Sequence, residues 1–199
     1  MSKQLDQRRA VAADLAVETN EFKPGYVYSF YTATRAFRGL LVAVCVDHFI
    51  VHKPTIVWTA DNENVNHKAS KYFASGEVKG VLEEPGGEWA FVPIGGCVYT
   101  VCHNVVGEIP ECKCIDASNG WMKPGTVVHI CTVTHEFRGI LDNIGSFTLK
   151  VTKAAMVNNI ENHQFAAVLS GNSEGSDHFK VCDVQVFLHG ITGILTAEK

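Results

Sequence analysis

KPGYVYSFYTATRAFRGLL, residues 23–41, returns one hundred residues later as KPGTVVHICTVTHEFRGIL, residues 123–141. Ten of the nineteen aligned positions are identical and no gap is needed. The shared residues are one lysine, one proline, two glycines, one valine, two threonines, one phenylalanine, one arginine and one leucine. These are turn, bend and core types. A copied catalytic site would repeat acids, bases and nucleophiles, so the repeat is read as a duplicated structural unit.

The phrase predicts local structure in both copies. In Lys23–Pro24–Gly25 and Lys123–Pro124–Gly125, proline fixes φ and glycine admits a positive φ, so a turn delivers the chain into a strand. YVYSFYTAT and TVVHICTVT are rich in valine, threonine and aromatics, which suit a pleated surface. A second strand follows after a short turn, in RAFRGLLVAVCV and HEFRGILDNI, and a third at HFIVH and SFTLKV. Each copy then passes through a polar, helix-compatible or loop-like stretch. Strand texture resumes around a second shared landmark, Ile94–Gly95–Gly96 and Leu188–His189–Gly190. The offset there is ninety-four, so the first copy carries six more residues in a segment that tolerates length change.

Each unit therefore reads as about five short strands, and five curved strands closing on themselves make a small barrel. Glycine inside a strand marks a sharp bend or bulge, which gives Gly39 and Gly139 a structural role. The expected fold is mainly β: two tandem five-stranded small barrels of the Sm-like or SH3-like kind, behind a short helix from Leu5 to Val17. Residues 1–106 form the first unit with its helix, 107–121 a linker and 122–199 the second unit.

Bulk properties narrow the function classes. The formal net charge of −4 gives no general electrostatic help to nucleic-acid binding. No stretch approaches the roughly eighteen uninterrupted apolar residues of a membrane span. The N-terminus has charges where a signal peptide needs an apolar core. Seven cysteines, an odd number often set in apolar runs, suit reduced thiols in a cytoplasmic or nuclear protein.

KPGTVVHICTVTHEFRGILDNIGSFTLKV resembles the first half of an Sm-like domain, and VFLHGITGIL is similar to that family's closing pair of strands. The predicted leading helix also fits the family. The resemblance covers roughly seventy residues of each copy and implies an RNA-related function. In ring-forming members a base is held by an aspartate and asparagine after the second strand and an arginine in the turn before the last. Asp142 and Asn143 stand a few residues early for that role, and His189 or Gly95 occupies the arginine position. Relatives without the pocket act as adaptors, pairing strand edges with another Sm-like domain or binding peptides. The resemblance thus implies a non-catalytic adaptor in an RNA-related assembly, with a protein partner, and a pseudo-dimer of the two repeats. Direct binding of single-stranded RNA stays open as one alternative, and a zinc-dependent or Cys/His enzyme as another.

Candidate partner- or RNA-binding residues are Arg38 and Arg138, which fall on the face opposite Phe37 and Phe137 by strand alternation. Tyr28 and Tyr31 could stack unpaired bases, and Asp142, Asn143 and His189 complete the set. A weaker metal constellation is Cys97, Cys102, His103, Cys112 and Cys114: the ligand types suit zinc, but the spacing lacks paired Cys-x-x-Cys knuckles. No nucleophile elbow, phosphate loop or His-Glu-x-x-His motif occurs, so neither catalysis nor a cofactor is expected.

Overall fold

The computed structural model describes residues 22–59, 63–111, 113, 115–116, 120–157, 178–180 and 183–196, so the helix expected over Leu5 to Val17 lies outside the described residues. Within them the chain is mainly β. The strands are β1 Tyr26–Thr32, β2 Ala36–Val44, β3 His48–Thr59, β4 Val81–Pro85, β5 Trp89–Pro93 and β6 Cys97–Val106 in the first repeat. The second repeat holds β7 Val127–Thr132, β8 Glu136–Ile144, β9 Thr148–Val157, β10 His178–Lys180, β11 Asp183–Phe187 and β12 Ile191–Thr196. The described helix, α1, spans Val65–Ser75. No helix among the described residues is long and apolar enough to cross a membrane.

The duplication extends to hydrogen-bond register. In the first hairpin Tyr28 faces Gly39, Ser29 faces Arg38 and Phe30 faces Phe37. In the other repeat Val128 faces Gly139, His129 faces Arg138 and Ile130 faces Phe137. The Lys-Pro-Gly turns also coincide: Gly25 and Gly125 have φ of 90° and 89°, and their N–H groups donate to Leu41 and Leu141 carbonyls at 2.8 and 2.7 Å. Thr32 and Thr132 close the hairpin turns by donating their hydroxyls to the carbonyls of Arg35 and His135.

The repeated Phe-Arg-Gly is the companion of a bulge on the next strand. Register slips between Arg38 and Leu40 against β3, and between Arg138 and Ile140 against β9. Lys53 and Lys153 take up the slip in the left-handed region, at φ of 46° and 49°. The bulged strand presses onto the glycine. A Cβ at Gly39 would lie 2.6 Å from a Val51 methyl and 2.8 Å from the His52 oxygen. At Gly139 the same distances, to Val151 and Thr152, are 2.4 and 2.8 Å. A backbone oxygen cannot step aside as a side-chain tip can, so only glycine fits.

The twelve strands form one sheet in the order β10-β9-β8-β7-β12-β5-β3-β2-β1-β6, with β11 also on β9 and β4 also on β3. The path is open at both ends. This corrects the expectation of two five-stranded units each closed on itself. Closing the first repeat would bring β5 to β6, but the edge of β5 is taken by β12 of the other repeat, with Phe91 facing Ile194 and Ala90 facing Leu195. The first polar stretch, read as helix or loop, contains both α1 and a sixth strand, β4. Two cores flank the junction and interleave across it. Cys131 and Leu195 enter the cluster around Phe30 and Phe37, while Ile50, Trp89 and Phe91 enter the one around Ile130 and Leu141.

Gly39→Ala and Gly139→Ala should each destabilise the fold by about 1–3 kcal/mol, through overpacking against the bulge. Denaturant midpoints check this, with Gly95→Ala as control, since nothing lies within 4 Å of a Cβ built there.

Candidate functional site

The junction between the repeats contains a buried polar cluster. Arg35 sits in the β1–β2 turn, and its Nη2 ion-pairs with Oε1 of Glu136, the first residue of β8. The other carboxylate oxygen, Oε2, lies 3.1 Å from Nε2 of His129 on β7. The guanidinium also stands 4.9 Å from the Trp58 ring centre. Close by, Thr192 on β12 donates to the Cys131 carbonyl at 3.2 Å, and its hydroxyl meets that of Thr34 at 3.2 Å. Burial alone would raise the Glu136 carboxyl, but the bonds and charges of His129 and Arg35 outweigh it and hold the group below its ordinary range.

His129, Cys131 and Glu136 bring ligand atoms within 4.8 Å of one another, a donor set a metal could use. Their chemistry points elsewhere. Both Glu136 oxygens are committed, one to a guanidinium, and a cation placed there would meet that positive charge in a buried site. The Cys131 thiol is fully buried and its pKa is pushed well up by that burial, which disfavours the thiolate that a metal would need. The cluster is a polar weld between repeats.

A second polar anchor holds the chain just before β7. His48 is fully buried, bonded through Nδ1 to Asp47 at 2.6 Å and stacked on Trp121 at 4.0 Å between ring centres. Its Nε2 lies 3.1 Å from the Gly120 oxygen. Burial opposes the charge on His48, yet the bonds and charges of Asp47 and Cys45 outweigh it and bring the imidazole up to about 9.

Outward from the junction the two ends of the sheet are unequally protected. Among the described residues β6 pairs with β1 alone, and its sequence CVYTVCHNVV contains no carboxylate, lysine, arginine or proline. Val98, Val101 and Val106 on it are 61%, 42% and 66% exposed. At the other end β10 and β11 both lie on β9; among the described residues β11 pairs with β9 alone, and it presents Phe187 at 61% exposure. Natural edge strands are usually guarded by charge, proline or a bulge, and β6 lacks the first two.

The residues singled out by sequence are dispersed. Arg38 is half-buried on β2, its guanidinium 5.7 Å from the Phe73 ring centre; Arg138 holds the equivalent place on β8, with its pKa lowered by burial. Tyr28 and Tyr31 are only 3% and 2% exposed, which corrects their reading as stacking platforms. Tyr28 accepts the Lys23 N–H at 3.0 Å, and Tyr31 is stacked on Tyr99 at 4.2 Å. Alternation placed aromatics on both faces of β1, and the inserted helix covers the face that would otherwise be open. Asp142 and Asn143 are exposed, with Asp142 3.1 Å from Lys150, while His189 lies in the turn before β12, 5.6 Å from the Phe187 ring.

The weaker metal candidates form no ligand cluster among the described residues. Burial pushes the Cys97 thiol up to about 11, Cys102 approaches Asn104, and the His103 ring contacts the Ser29 hydroxyl at 2.6 Å. Cys112 and Cys114 lie outside the described residues. The polar weld was missed because it joins positions 101 residues apart. Its signal was a mismatch inside the repeat: Ala36 at a core strand position is replaced by Glu136.

Compared with known proteins, the chain matches no protein-family model, no curated protein and no solved structure.

Glu136→Ala should cost about 3–5 kcal/mol, because it strands a buried guanidinium. A paired Arg35→Met, Glu136→Leu variant should recover most of that loss, read from denaturation curves. For His48 the folded pKa lies above the ordinary 6.5. Its stabilisation is therefore fully present below pH 6.5 and is lost as pH rises through about 9. Wild type should lose more stability between pH 7 and 10 than His48→Gln does, measured as the change in urea midpoint over that range.

Proposed function

We propose that this chain is a non-catalytic adaptor of Sm-like architecture that works in an RNA-related assembly by pairing strand edges with a protein partner. The supporting observation is that the junction already joins one repeat to the other in this way, and the molecule carries the same two edges again, each without a strand partner among the described residues. Repeat offsets identify them. β5 corresponds to β11 and β6 to β12, so the β5–β12 junction inside the chain has a counterpart in β11 of one molecule and β6 of another. The match holds at single residues: Ile194 faces Ile130 as Thr100 faces Phe30, and both strands carry an irregularity near the same place. An edge strand that adds to a sheet gains main-chain hydrogen bonds, with alternate side chains providing selectivity.

The RNA-related setting and the cytoplasmic or nuclear location rest on the Sm-like resemblance of the repeated phrase. The four described cysteines carry free thiols, in keeping with a reducing compartment. Direct base stacking by Tyr28 and Tyr31 finds no support, because both rings are buried.

The register of the internal junction specifies the test. Carrying Phe91–Ile194 and Ala90–Leu195 over to β11 and β6 places Gln185 against Thr100 and Val184 against Val101 of the partner edge. If a second copy supplies it, the double variant Thr100→Cys, Gln185→Cys forms intermolecular disulfides under mild oxidation, whereas Val98→Cys with Gln185→Cys does not. Light scattering then shows species above the 21.8 kDa of one chain, diminished in Val101→Lys. A chain that stays monomeric, and whose pulled-down partners are indifferent to Val101→Lys, would overturn the reading.

A further inference from the structure

Arg38 leaves a question that edge pairing does not answer. Between α1, β2 and β3 lies an open cleft of about 470 Å³. Arg38, His52, Lys53, Tyr72, Phe73 and Glu83 are among its lining residues. α1 is fixed in place: Asn64 caps its first turn, Phe73 packs into a cluster with Tyr31 and Val57, and the Ser70 hydroxyl bonds that of Tyr99 at 2.8 Å. The cleft is therefore a formed concavity with a rigid aromatic wall.

Its charges are unbalanced. Arg38 has no carboxylate within ion-pair distance among the described residues and rests over the face of Phe73. Lys53 projects from the bulge in its left-handed conformation and likewise has no ion-pair partner among the described residues. Burial lowers the His52 pKa, so that ring adds little charge at neutral pH. Glu83 is the single carboxylate of the lining. Two permanent cations thus face one anion across a cleft walled by Tyr72, Phe73 and Leu40. A half-buried guanidinium with free donors favours a bidentate oxyanion, and the volume falls in the range of small-molecule sites.

We propose that this cleft binds a small anionic ligand, a carboxylate or phosphate carried on a planar apolar body. Arg38 and Lys53 take the oxyanion, and Tyr72 and Phe73 take the body. The site belongs to the first repeat and is separate from the strand edges, so it stands or falls independently of the adaptor reading.

Anilinonaphthalene sulfonate, an anion on an aromatic frame, is the probe, and its fluorescence is followed on titration into full-length protein. Saturable binding is expected, weakened about tenfold or more in Arg38→Gln. Lys53→Gln should weaken it less, and Glu83→Gln should tighten it. Lys71→Gln, which removes a charge from the same helix outside the lining, should leave it unchanged. Neutral phenylnaphthylamine should bind with little dependence on Arg38. Phenyl phosphate and phenylacetate then compete for the site, and the stronger competitor identifies the oxyanion. Circular dichroism confirms that each variant is folded. Equal probe binding by wild type, Arg38→Gln and Glu83→Gln overturns the proposal, as does failure of both competitors to displace the probe.

Discussion

β12 is hydrogen-bonded on both sides, to β7 of its own repeat and to β5 of the other, and the architecture follows from that double commitment. A strand with two partners has no free edge to seal its own unit. The sheet therefore continues across the repeat boundary, and the two cores meet beneath one continuous backbone ladder. Residues that would lie at the rim of an isolated repeat become interior: Phe91, Ala90, Ile194 and Leu195 are all fully buried. Burial of side chains the size of Phe91, Ile194 and Leu195 contributes about 1.5–3 kcal/mol each. The junction is therefore built like a protein interior, and the repeats are not beads on a string.

The asymmetry of the weld explains how one junction forms in one register. A duplicated unit starts with two equivalent ways to pair its edges, and apolar strands alone discriminate poorly between registers. Here Glu136 and His129 occur only in the second repeat, where the first has Ala36 and Ser29, while Arg35 occurs only in the first. The ion pair forms when the first repeat's hairpin turn reaches the start of β8 and in no exchanged arrangement. Buried ion pairs contribute little net stability against well-packed apolar residues, but a stranded partner costs several kcal/mol. The cluster therefore acts mainly by penalising the wrong pairing. Gly193 lets the two repeats approach closely: a Cβ there would lie 2.7 Å from the Phe37 ring of the other repeat.

The features legible in the sequence were local or periodic. The Lys-Pro-Gly turns, the hairpin between strands ending in Thr32 and Thr132, and the glycine of Phe-Arg-Gly follow from residue chemistry within a few positions. Their repetition doubles the signal. The sheet order was not legible, because whether β5 turns back to β6 or accepts β12 depends on pairing between segments about one hundred residues apart. Tyr28 and Tyr31 failed for a related reason. Alternation told which way each ring points but not what covers it, and α1 with Tyr99 comes from elsewhere in the chain.

The two arginines of the repeated phrase show how duplication lets one motif acquire two environments. Their backbone positions are the same, with Arg38 opposite Ser29 and Arg138 opposite His129, each next to a glycine under a bulge. The bulge fixes the glycine in both repeats and leaves the arginine free to differ, since its side chain emerges on the opposite face. In the first repeat that face meets α1, and the aromatic wall of Phe73 receives the guanidinium. A cation held over a ring keeps its outward donors available. The glycine in Phe-Arg-Gly thus answers to the backbone, and the arginine answers to whatever the insertion between β3 and β4 places over it.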